Sequence, residues 1–410
     1  MTRGNGEYPR SIKAGLPRID RFSNRWQPIA FGDLLEPVFR RVNIDLDTTY
    51  QLIVAKRNRG GIAAREKLRG QDIKTKDQYV LREGDFVIAK RQIAHGACGL
   101  VPHELDGSIV SGEYDVFRTK TGLLPEFLDL FAATEYFQQT CFHSSVGVSI
   151  EKLVFRTDRW LRYKMPLPQE PEQSKIVSIA KLFEGRIDAL KQLQVAKRAF
   201  KRGLMQEMLT GHMRFPEFRR RHWETLLFHD LCEELSERNG NQMGAQDVMG
   251  VIKGVGLTQM RDRVRGKGDL TRYKIVPPEA FAYNPMRLNI GSIAHNGLGR
   301  PVLVSPDYVV FRCRTGASLP GYINQVRRSS FWASFMKRAG AGSVRVRIYF
   351  SDLARLRVPA PNVDEQSRIA ATLNSADLEL DLLAALLEQV ELQKRAILSR
   401  LLSGDLSVPL

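Results

Sequence analysis

The chain has 410 residues, 43% hydrophobic and 26% charged, which is typical of a folded protein with more than one domain. Lysine and arginine number 62 against 45 acidic residues, a formal net charge of +17 that favours a nucleic-acid partner over a merely basic surface. No apolar run approaches a membrane span, and the four scattered cysteines lack metal-site spacing. We therefore expect a cytoplasmic protein with reduced thiols and no membrane partner.

The first predicted domain follows a polar, basic segment. Residues 1–24 lack the hydrophobic core of a signal peptide and are interpreted as an N-terminal arm. Residues 25–165 contain short β-rich runs, such as 85–89 and 108–110, and an apparent helix after Pro125. This mixture predicts an α+β domain.

A basic stretch lies in this domain between Tyr50 and Arg91, with eleven basic side chains against five acidic ones. Glycine-flanked lysine and arginine suit contacts with DNA phosphates, and arginine also reads guanine edges. A solvated surface is the alternative. For His95, and for His295 at the position of the second repeat that the sequence matches to it, near Gly96 and Gly297, a structural role is favoured over a base contact. The candidate DNA-binding residues here are Lys56, Arg57, Arg59, Arg65, Lys67, Arg69, Lys74, Lys76, Lys90, Arg91 and His95.

Residues 166–214 form a predicted helical segment. Apolar residues recur at steps of three or four from Ile176 to Met208, between Pro171 and Gly211, which indicates one buried helical stripe. About 39 residues at about 1.5 Å each give a helix of about 55–60 Å, a length typical of a coiled coil. Its outer face suits either solvent or a partner subunit and carries Lys191, Lys197, Arg198, Lys201 and Arg202.

The second predicted domain, residues 215–357, repeats the first one loosely. Leu319-Pro320 corresponds to Leu124-Pro125, and residues 293–295 repeat the Ile-Ala-His of residues 93–95. Seven basic and two acidic side chains lie between residues 253 and 274, and this recurrence strengthens the DNA-binding interpretation. The candidate DNA-binding residues here are Arg261, Arg263, Arg265, Lys267, Arg272, Lys274, His295, Asn296 and Arg300.

Residues 358–410 repeat the central helical segment without a gap, at an offset of 193 residues. Glu172-Gln173 falls on Glu365-Gln366, and the two acids are interpreted as groups that favour the helix dipole. Two such helices predict an antiparallel intramolecular pair, with packing of each helix on its own domain or on another protein as the alternative. The residues expected to pair the helices are Ile176, Phe183, Ile187, Leu190, Leu193, Leu380, Leu383, Leu387 and Val390.

The sequence carries no recognisable pattern of an active site. It has no GxxxxGK[ST] phosphate loop, and its histidines form no metal-spaced pair. We therefore expect no catalytic residue, no metal and no cofactor on this chain. The competing classes are an enzyme that acts on DNA by itself and a stand-alone DNA-binding or scaffold protein.

The repeated phrases resemble a known family, the specificity (S) subunits of type I restriction-modification systems. Pro166-Leu167-Pro168, then Glu172-Gln173 and a helix that ends at residues 209–211, are similar to its central repeated region. Residues 359–404 are similar to its C-terminal repeat, and residues 90–111 to a stretch of its target-recognition domains. One departure is Ala360-Pro361 in place of the fuller Pro-Leu-Pro, which leaves the fold intact but affects the expected partner contact.

The resemblance implies an α+β fold with two α/β target-recognition domains, separated by an antiparallel pair of long coiled-coil helices, and an internal pseudo-two-fold repeat. It implies a non-catalytic subunit whose domains each read one half of a bipartite, asymmetric site in double-stranded DNA. The helices would set the spacer and dock two methyltransferase subunits, which endonuclease subunits can join. These partners would bind S-adenosylmethionine, ATP and magnesium. An S subunit of a modification-only system is a further alternative.

Overall fold

The computed structural model describes residues 25–75, 77–260, 269–339 and 347–408. The chain forms two compact units: unit 1 contains residues 1–189 and 387–410, and unit 2 contains residues 190–386. Each unit therefore includes one sequence repeat and a part of both long helices. The predicted arm, residues 1–24, lies outside the described residues.

Unit 1 combines short strands with short helices, as its β-rich runs and turn residues predict. Its strands are β1 (Gln27–Ala30), β2 (Leu35–Pro37), β3 (Arg41–Val42), β4 (Thr49–Ala55), β5 (Ile62–Arg69), β6 (Gln78–Val80), β7 (Phe86–Ala89), β8 (Cys98–Leu100), β9 (Ile109–Ser111), β10 (Tyr114–Thr119), β11 (Ser145–Val146), β12 (Val154–Phe155) and β13 (Lys164–Leu167). Its helices are α1 (Phe31–Leu34), α2 (Pro125–Ala132), α3 (Glu135–His143), α4 (Thr157–Trp160) and the first half of α5 (Glu170–Thr210).

Two sheets pack against each other in unit 1. One is antiparallel in the order β2-β10-β7-β8, and the other has the order β3-β6-β9-β4-β5, with β4 and β9 parallel. Strand β7 is buried on both faces: Phe86 and Ile88 face an aromatic cluster, and Val87 faces a second cluster. Within the aromatic cluster, Phe31 stacks on Trp160 with ring centroids 4.3 Å apart. This burial explains why β7 reads as a continuous apolar run.

Unit 2 repeats the order of elements of unit 1, but its hairpin strands are shorter and its described strands outside the main sheet form only two-stranded pairs. Its strands are β14 (Glu224–Leu227), β15 (Cys232–Leu235), β16 (Met249–Ile252), β17 (Gly256–Gln259), β18 (Lys274–Val276), β19 (Phe281–Tyr283), β20 (Ile293–His295), β21 (Val302–Val304), β22 (Val309–Cys313) and β23 (Arg357–Ala360). Its helices are α6 (Phe228–Leu231), α7 (Pro320–Val326), α8 (Ser330–Ala339), α9 (Phe350–Leu353), the second half of α5 and most of α10 (Val363–Leu402).

The main sheet of unit 2 has the order β15-β22-β19-β20, which matches β2-β10-β7-β8 of unit 1 strand by strand. Phe281 in β19 takes the place of Phe86 in β7, and it stacks on Phe311 with ring centroids 4.9 Å apart. The remaining strands of unit 2 form the separate pairs β14–β23, β16–β17 and β18–β21. The repeat is therefore close in the main sheet and loose around it.

The long helices α5 and α10 run antiparallel within each unit. In unit 1, Lys394 Nζ donates to Glu184 Oε1 over 2.7 Å, and Ile176 shares a core with Leu401. In unit 2, Lys197 pairs with Glu379 at 2.6 Å, and Lys201 pairs with Asp377. The predicted antiparallel pair is therefore confirmed, and with it the predicted fold class. Lys197 and Lys201 belong to the helix pair, a role that neither sequence interpretation of the outer face included.

The residues predicted to pair the helices differ in burial. Ile176, Ile187 and Val390 are buried, whereas Leu193 is 42% exposed and contributes less than the periodicity predicts. The five others are half-buried: Phe183, Leu190, Leu380, Leu383 and Leu387. Burial is greatest towards the ends of the helices because their terminal turns enter the cores of the two units.

The repeated glutamates lie in the first turns of α5 and α10, where the helix dipole favours them, and they also make hydrogen bonds that the sequence did not predict. Glu172 accepts hydrogen bonds from Arg25 Nη2 at 2.7 Å and from Trp26 Nε1 at 3.2 Å. Glu365 accepts two from Arg214, at 2.9 and 2.7 Å, and one from Trp223 Nε1 at 2.8 Å. Each glutamate thus ties the start of a long helix to the segment that enters the domain.

The repeated glutamines lock the same helix starts from the other side. Gln173 Nε2 donates to the carbonyls of Gly122 and Pro168, at 2.7 and 2.9 Å, and Oε1 accepts from Leu124 N at 2.9 Å. Gln366 makes the equivalent three bonds, to the carbonyls of Ala317 and Pro361 and from the amide of Leu319. Both side chains are buried, so the repeated Glu-Gln pair is a structural latch in each unit.

The described cysteines are free thiols. Cys98, Cys141 and Cys232 are buried and Cys313 is half-buried. Desolvation raises the pKa of Cys98 to about 12, so this thiol is a poor nucleophile. Among the described helices, none is long and apolar enough to cross a membrane.

Candidate nucleic-acid interface

In unit 1 the basic stretch forms the β4–β5 hairpin, whose tip spans residues 56–61. Asn58 and Arg59 at the tip both have φ of 58°, a backbone conformation that asparagine tolerates better than arginine. The amide of Asn58 donates to the carbonyl of His95 at 2.7 Å, and that of Arg59 to the carbonyl of Gly96 at 3.1 Å. The tip is therefore fixed on the turn of residues 93–96. This contact brings the predicted basic residues of the tip next to the predicted residue His95.

The two arginines of the tip are held by side chains of unit 1. Arg57 donates from Nε to Gln92 Oε1 at 2.6 Å and from Nη2 to Glu151 Oε2 at 3.0 Å. Arg59 Nη2 donates to Gln138 Oε1 at 3.0 Å, and desolvation lowers its pKa. The sequence did not predict the roles of Gln138 and Glu151, because a single polar residue on a helix or loop belongs to no recognisable sequence pattern.

The cations of β5 are more available. Arg65, Lys67 and Arg69 are all exposed, and Lys67 and Arg69, which follow the bulge in β5, share one face of the strand. Arg65 pairs with Glu66 at 3.1 Å, whereas Lys67 and Arg69 form no ion pair with any residue that the structure describes. The hairpin therefore presents available charge along an edge strand, whereas the two arginines of its tip are held by other side chains.

The other candidates of unit 1 lie around this hairpin. Lys90 and Arg91 are paired with Asp115 and Glu113 at 3.5 and 2.6 Å. Lys56 and Lys74 are exposed, and within the described ranges they have no ion-pair partner. Lys76 lies outside the described residues.

In unit 2 the candidates are only partly described. Arg261, Arg263, Arg265 and Lys267 lie outside the described residues. Arg272 is exposed, Lys274 Nζ donates to the carbonyl of Tyr308 at 2.7 Å, and Arg300 pairs with Asp247 at 2.8 Å. The hairpin of this unit is β16–β17, with Lys253 and Gly254 at its tip.

The two histidines do not occupy matching positions, which corrects the sequence analysis. His95 ends the helical turn of residues 93–95, whereas His295 lies in strand β20 opposite Phe281, the place that Leu100 has opposite Phe86. The turn of unit 2 that matches residues 93–96 is residues 288–291. Gly96 and Gly291 both have positive φ, and their amides donate to the carbonyls of Ile93 and Leu288.

Both histidines face glutamates. His295 Nε2 lies 3.1 Å from Glu279 Oε2, and His95 Nε2 lies 3.4 Å from Glu151 Oε1. Burial lowers the pKa of each imidazole despite these carboxylates. The favoured interpretation as structural histidines accords with these contacts, and contact with a DNA base stays a prediction.

Asn296 lies in the interior of unit 2 rather than on the candidate surface. It is fully buried, and its Nδ2 donates to the carbonyls of Val276, Pro277 and Arg300 at 2.9, 3.0 and 3.0 Å. Its Oδ1 accepts from the amide of Leu298 at 3.2 Å. The side chain therefore stabilises the backbone of this turn, and its contact with DNA stays a prediction.

Comparisons with known proteins agree with this architecture. No family model matches the chain. A protein of Methanocaldococcus jannaschii, described as the specificity subunit of the type I restriction enzyme MjaX, is 22% identical over 306 residues, 70% of each chain. The HsdS subunit of Thermoanaerobacter tengcongensis matches with a TM-score of 0.57 and 18% identity, over 94% of this chain and 99% of the other.

Two further solved structures match at similar coverage. A chain from a type I restriction-modification assembly has a TM-score of 0.58 and 18% identity, over 94% of this chain and 100% of the other. The S subunit of the type I system of M. genitalium has a TM-score of 0.54 and 10% identity, over 95% and 98%. The chain therefore has the two-domain fold of these subunits. Its resemblance to the specificity subunits of type I restriction-modification systems is confirmed.

Proposed function

We propose that this chain is the DNA-specificity subunit of a type I restriction-modification complex, in which units 1 and 2 each read one half of a bipartite, asymmetric DNA site. The observation that carries the proposal is the repeat itself: the same main sheet and the same helix latch are built twice, and each unit has a different hairpin beside an equivalent turn. Two DNA-binding units with different hairpins, joined by the paired helices α5 and α10, are suited to recognise two different half-sites.

The cations of β5 are the side chains that this proposal puts against phosphate in unit 1. Replacing Lys67 and Arg69 by glutamine should lower the slope of log affinity against log salt by about 0.9 for each phosphate that is no longer neutralised. Arg57→Gln is the comparison variant, because Arg57 is already paired with Glu151. If β5 is only a charged edge strand that resists aggregation, all slopes will be equal.

Exposed apolar side chains on the long helices support the docking of methyltransferase subunits. In unit 2, Leu378, Leu382 and Leu386 recur every four residues of α10 and are 60, 62 and 40% exposed. At about 100° per residue they lie on the side of α10 opposite Leu380 and Leu383. An apolar stripe of this kind suits a protein partner.

Co-purification tests this surface. Leu382→Asp should reduce the methyltransferase subunit recovered with the full chain, because it places a charge in the interface. Ala384→Asp, also exposed but on another side of α10, serves as the control and should leave recovery unchanged. Equal recovery with both variants would remove this stripe from the docking surface, and failure of the unaltered chain to recover a methyltransferase would favour a stand-alone DNA-binding protein.

The chemistry belongs to the partners in this proposal. We assign S-adenosylmethionine, ATP and magnesium to the methyltransferase and endonuclease subunits, since the sequence carries no phosphate-binding loop. The purified chain should therefore neither methylate nor cleave DNA when incubated with S-adenosylmethionine or magnesium. Robust turnover by the chain alone would replace this proposal with that of a DNA-acting enzyme.

The helices are proposed to set the separation of the half-sites. Inserting four residues, about one turn or 6 Å, near Lys191, with a matched insertion near Leu386 in α10, should lengthen the DNA spacer. Methylome sequencing of cells that carry the complex reads both half-sites and the spacer. Altered half-sites with an unchanged spacer would contradict the proposed role of the helices.

A further inference from the structure

Unit 2 contains a cleft whose equivalent within unit 1 is filled by side chains of unit 1. The cleft has a volume of about 650 Å³ and lies between the tip of β16–β17, the turn of residues 288–291 and helix α8. Its apolar floor includes Leu288, Trp332 and Met336. Its rim carries Lys253, Arg327, Arg328 and Lys337, and none of the described lining residues is acidic.

The equivalent place in unit 1 is filled by the protein itself. The hairpin tip reaches the turn of residues 93–96, and Arg59 bonds to Gln138 of α3 at 3.0 Å. Thr134 and Ser329 cap the corresponding helices through bonds from the amides of Phe137 and Trp332.

That shared cap fixes the helix alignment, so Gln138 of unit 1 matches Ala333 of unit 2. In unit 2 the hairpin is shorter, and the Lys253 side chain lies over Gly291. The methyl group of Ala333 leaves the cleft unfilled. No described side chain of unit 2 therefore fills the place that unit 1 fills with an arginine and a glutamine.

Arg327 is the residue of the cleft best suited to bind an anion. It is half-buried, and it forms no ion pair with any described residue. Its Nε donates to the neutral Asn324 Oδ1 at 2.8 Å, and its Nη1 donates to the Ile293 carbonyl at 3.5 Å. Desolvation lowers its pKa to about 10. Arg328, by contrast, is paired with Asp377 at 2.8 Å. Asp377 is near enough to attract Arg327 but is already paired with Arg328 and Lys201, so a bound anion would be the direct partner of this partly desolvated guanidinium.

We propose that the cleft of unit 2 binds a phosphate ester, with the phosphate on Arg327 and Lys253 and the sugar or base against Ile290 and Met336. Arginine binds phosphate through two parallel hydrogen bonds, and the apolar floor suits the less polar part of a nucleotide. The ligand is a nucleotide unit of the bound DNA or a free nucleotide. The first source rests on the proposed function, and the second does not.

Three variants of the full chain test the site. Arg327→Gln removes the charge but keeps donors, Ala333→Gln introduces the side chain that fills the equivalent place in unit 1, and Arg355→Gln removes an exposed charge outside the cleft. Circular dichroism and Tm establish that each variant is folded. Binding of a long mixed-sequence duplex is measured over a range of salt, and binding of deoxyadenosine monophosphate is followed by phosphorus NMR line broadening.

If the DNA supplies the phosphate, Arg327→Gln lowers the salt slope by about 0.9, Ala333→Gln weakens binding, and Arg355→Gln leaves the slope unchanged. Equal slopes for Arg327→Gln and Arg355→Gln overturn that source. Broadening by the mononucleotide that disappears in Arg327→Gln then supports a free phosphate ester as the ligand. If neither ligand distinguishes the folded Arg327→Gln variant from the unaltered chain, the cleft is not a phosphate site.

Failure of the proposed function gives a different result. In that case the unaltered chain does not bind the duplex at any salt concentration. The mononucleotide measurement then decides the cleft by itself: broadening that depends on Arg327 supports the site, and its absence overturns it.

Discussion

Units 1 and 2 share the parts that hold the long helices and differ in the parts beside the candidate interface. The main sheet has the same strand order in both, and Gln173 and Gln366 make the same three hydrogen bonds. The hairpins diverge: β4–β5 docks on its turn and fills the space beside α3, whereas β16–β17 leaves a cleft beside α8. The shared parts are those that contact the two long helices, whereas the hairpins, which make none of the latch contacts, differ in length and in how they meet the adjacent turn.

The largest expected effect separates the two glutamates of the latch. Glu365 is fully buried and holds a bidentate arginine, whereas Glu172 is slightly exposed and holds Arg25 through one nitrogen. Glu365→Gln should lower the free energy of unfolding by about 3–5 kcal/mol, because it leaves the half-buried guanidinium of Arg214 without its carboxylate. Glu172→Gln should cost about 1–3 kcal/mol. Urea unfolding of both variants measures the difference, and equal losses would contradict it.

The glutamines should behave alike. Truncation by Gln173→Ala or Gln366→Ala leaves one amide and two carbonyls without partners, at a cost of about 2–3 kcal/mol in either unit. Calorimetry of both variants checks this symmetry. A loss confined to one unit would show that the latch is equivalent in geometry but not in energy. Ser178→Ala, on an exposed turn of α5, is the control.

A glycine pair tests the docking of the hairpin. Gly96 and Gly291 have φ of 76° and 91°, so alanine at either position is strained by about 1 kcal/mol. At Gly96 an added Cβ would also lie 3.1 Å from Arg59 Cγ, whereas at Gly291 the nearest atom, Lys253 Cγ, is 3.8 Å away. Gly96→Ala should therefore cost more and increase amide exchange at Asn58. Equal exchange in both variants would contradict a docked tip.

The smallest expected effect is a pH dependence. Burial lowers the pKa of His95 and of His295 below the ordinary value of 6.5, so the unfolded chain binds more protons than the folded one when the pH falls below that value. The stability contribution is present above pH 6.5 and is lost as the pH falls through the folded pKa. His95→Gln and His295→Gln should each flatten this decline in urea titrations. A steeper decline would reverse the assignment.

The sequence alone determined the periodic part of the protein. Apolar spacing from Ile176 onward and the gapless repeat at Glu365-Gln366 predicted both long helices and their antiparallel pairing, because a helical stripe is a local pattern that packing must satisfy. The same pattern overestimated the burial of Leu193, because apolar spacing shows which face of a helix is covered but not how completely each turn is buried.

Only the tertiary structure decided which polar residues meet. The Ile-Ala-His likeness suggested that His95 and His295 match, but strand register places His295 at the position of Leu100. Charge runs located the β4–β5 hairpin, yet they could not show that Arg59 is held by Gln138, far away in the chain, or that Asn296 is buried. Charge and burial at these positions depend on contacts between distant segments, which local residue patterns do not encode.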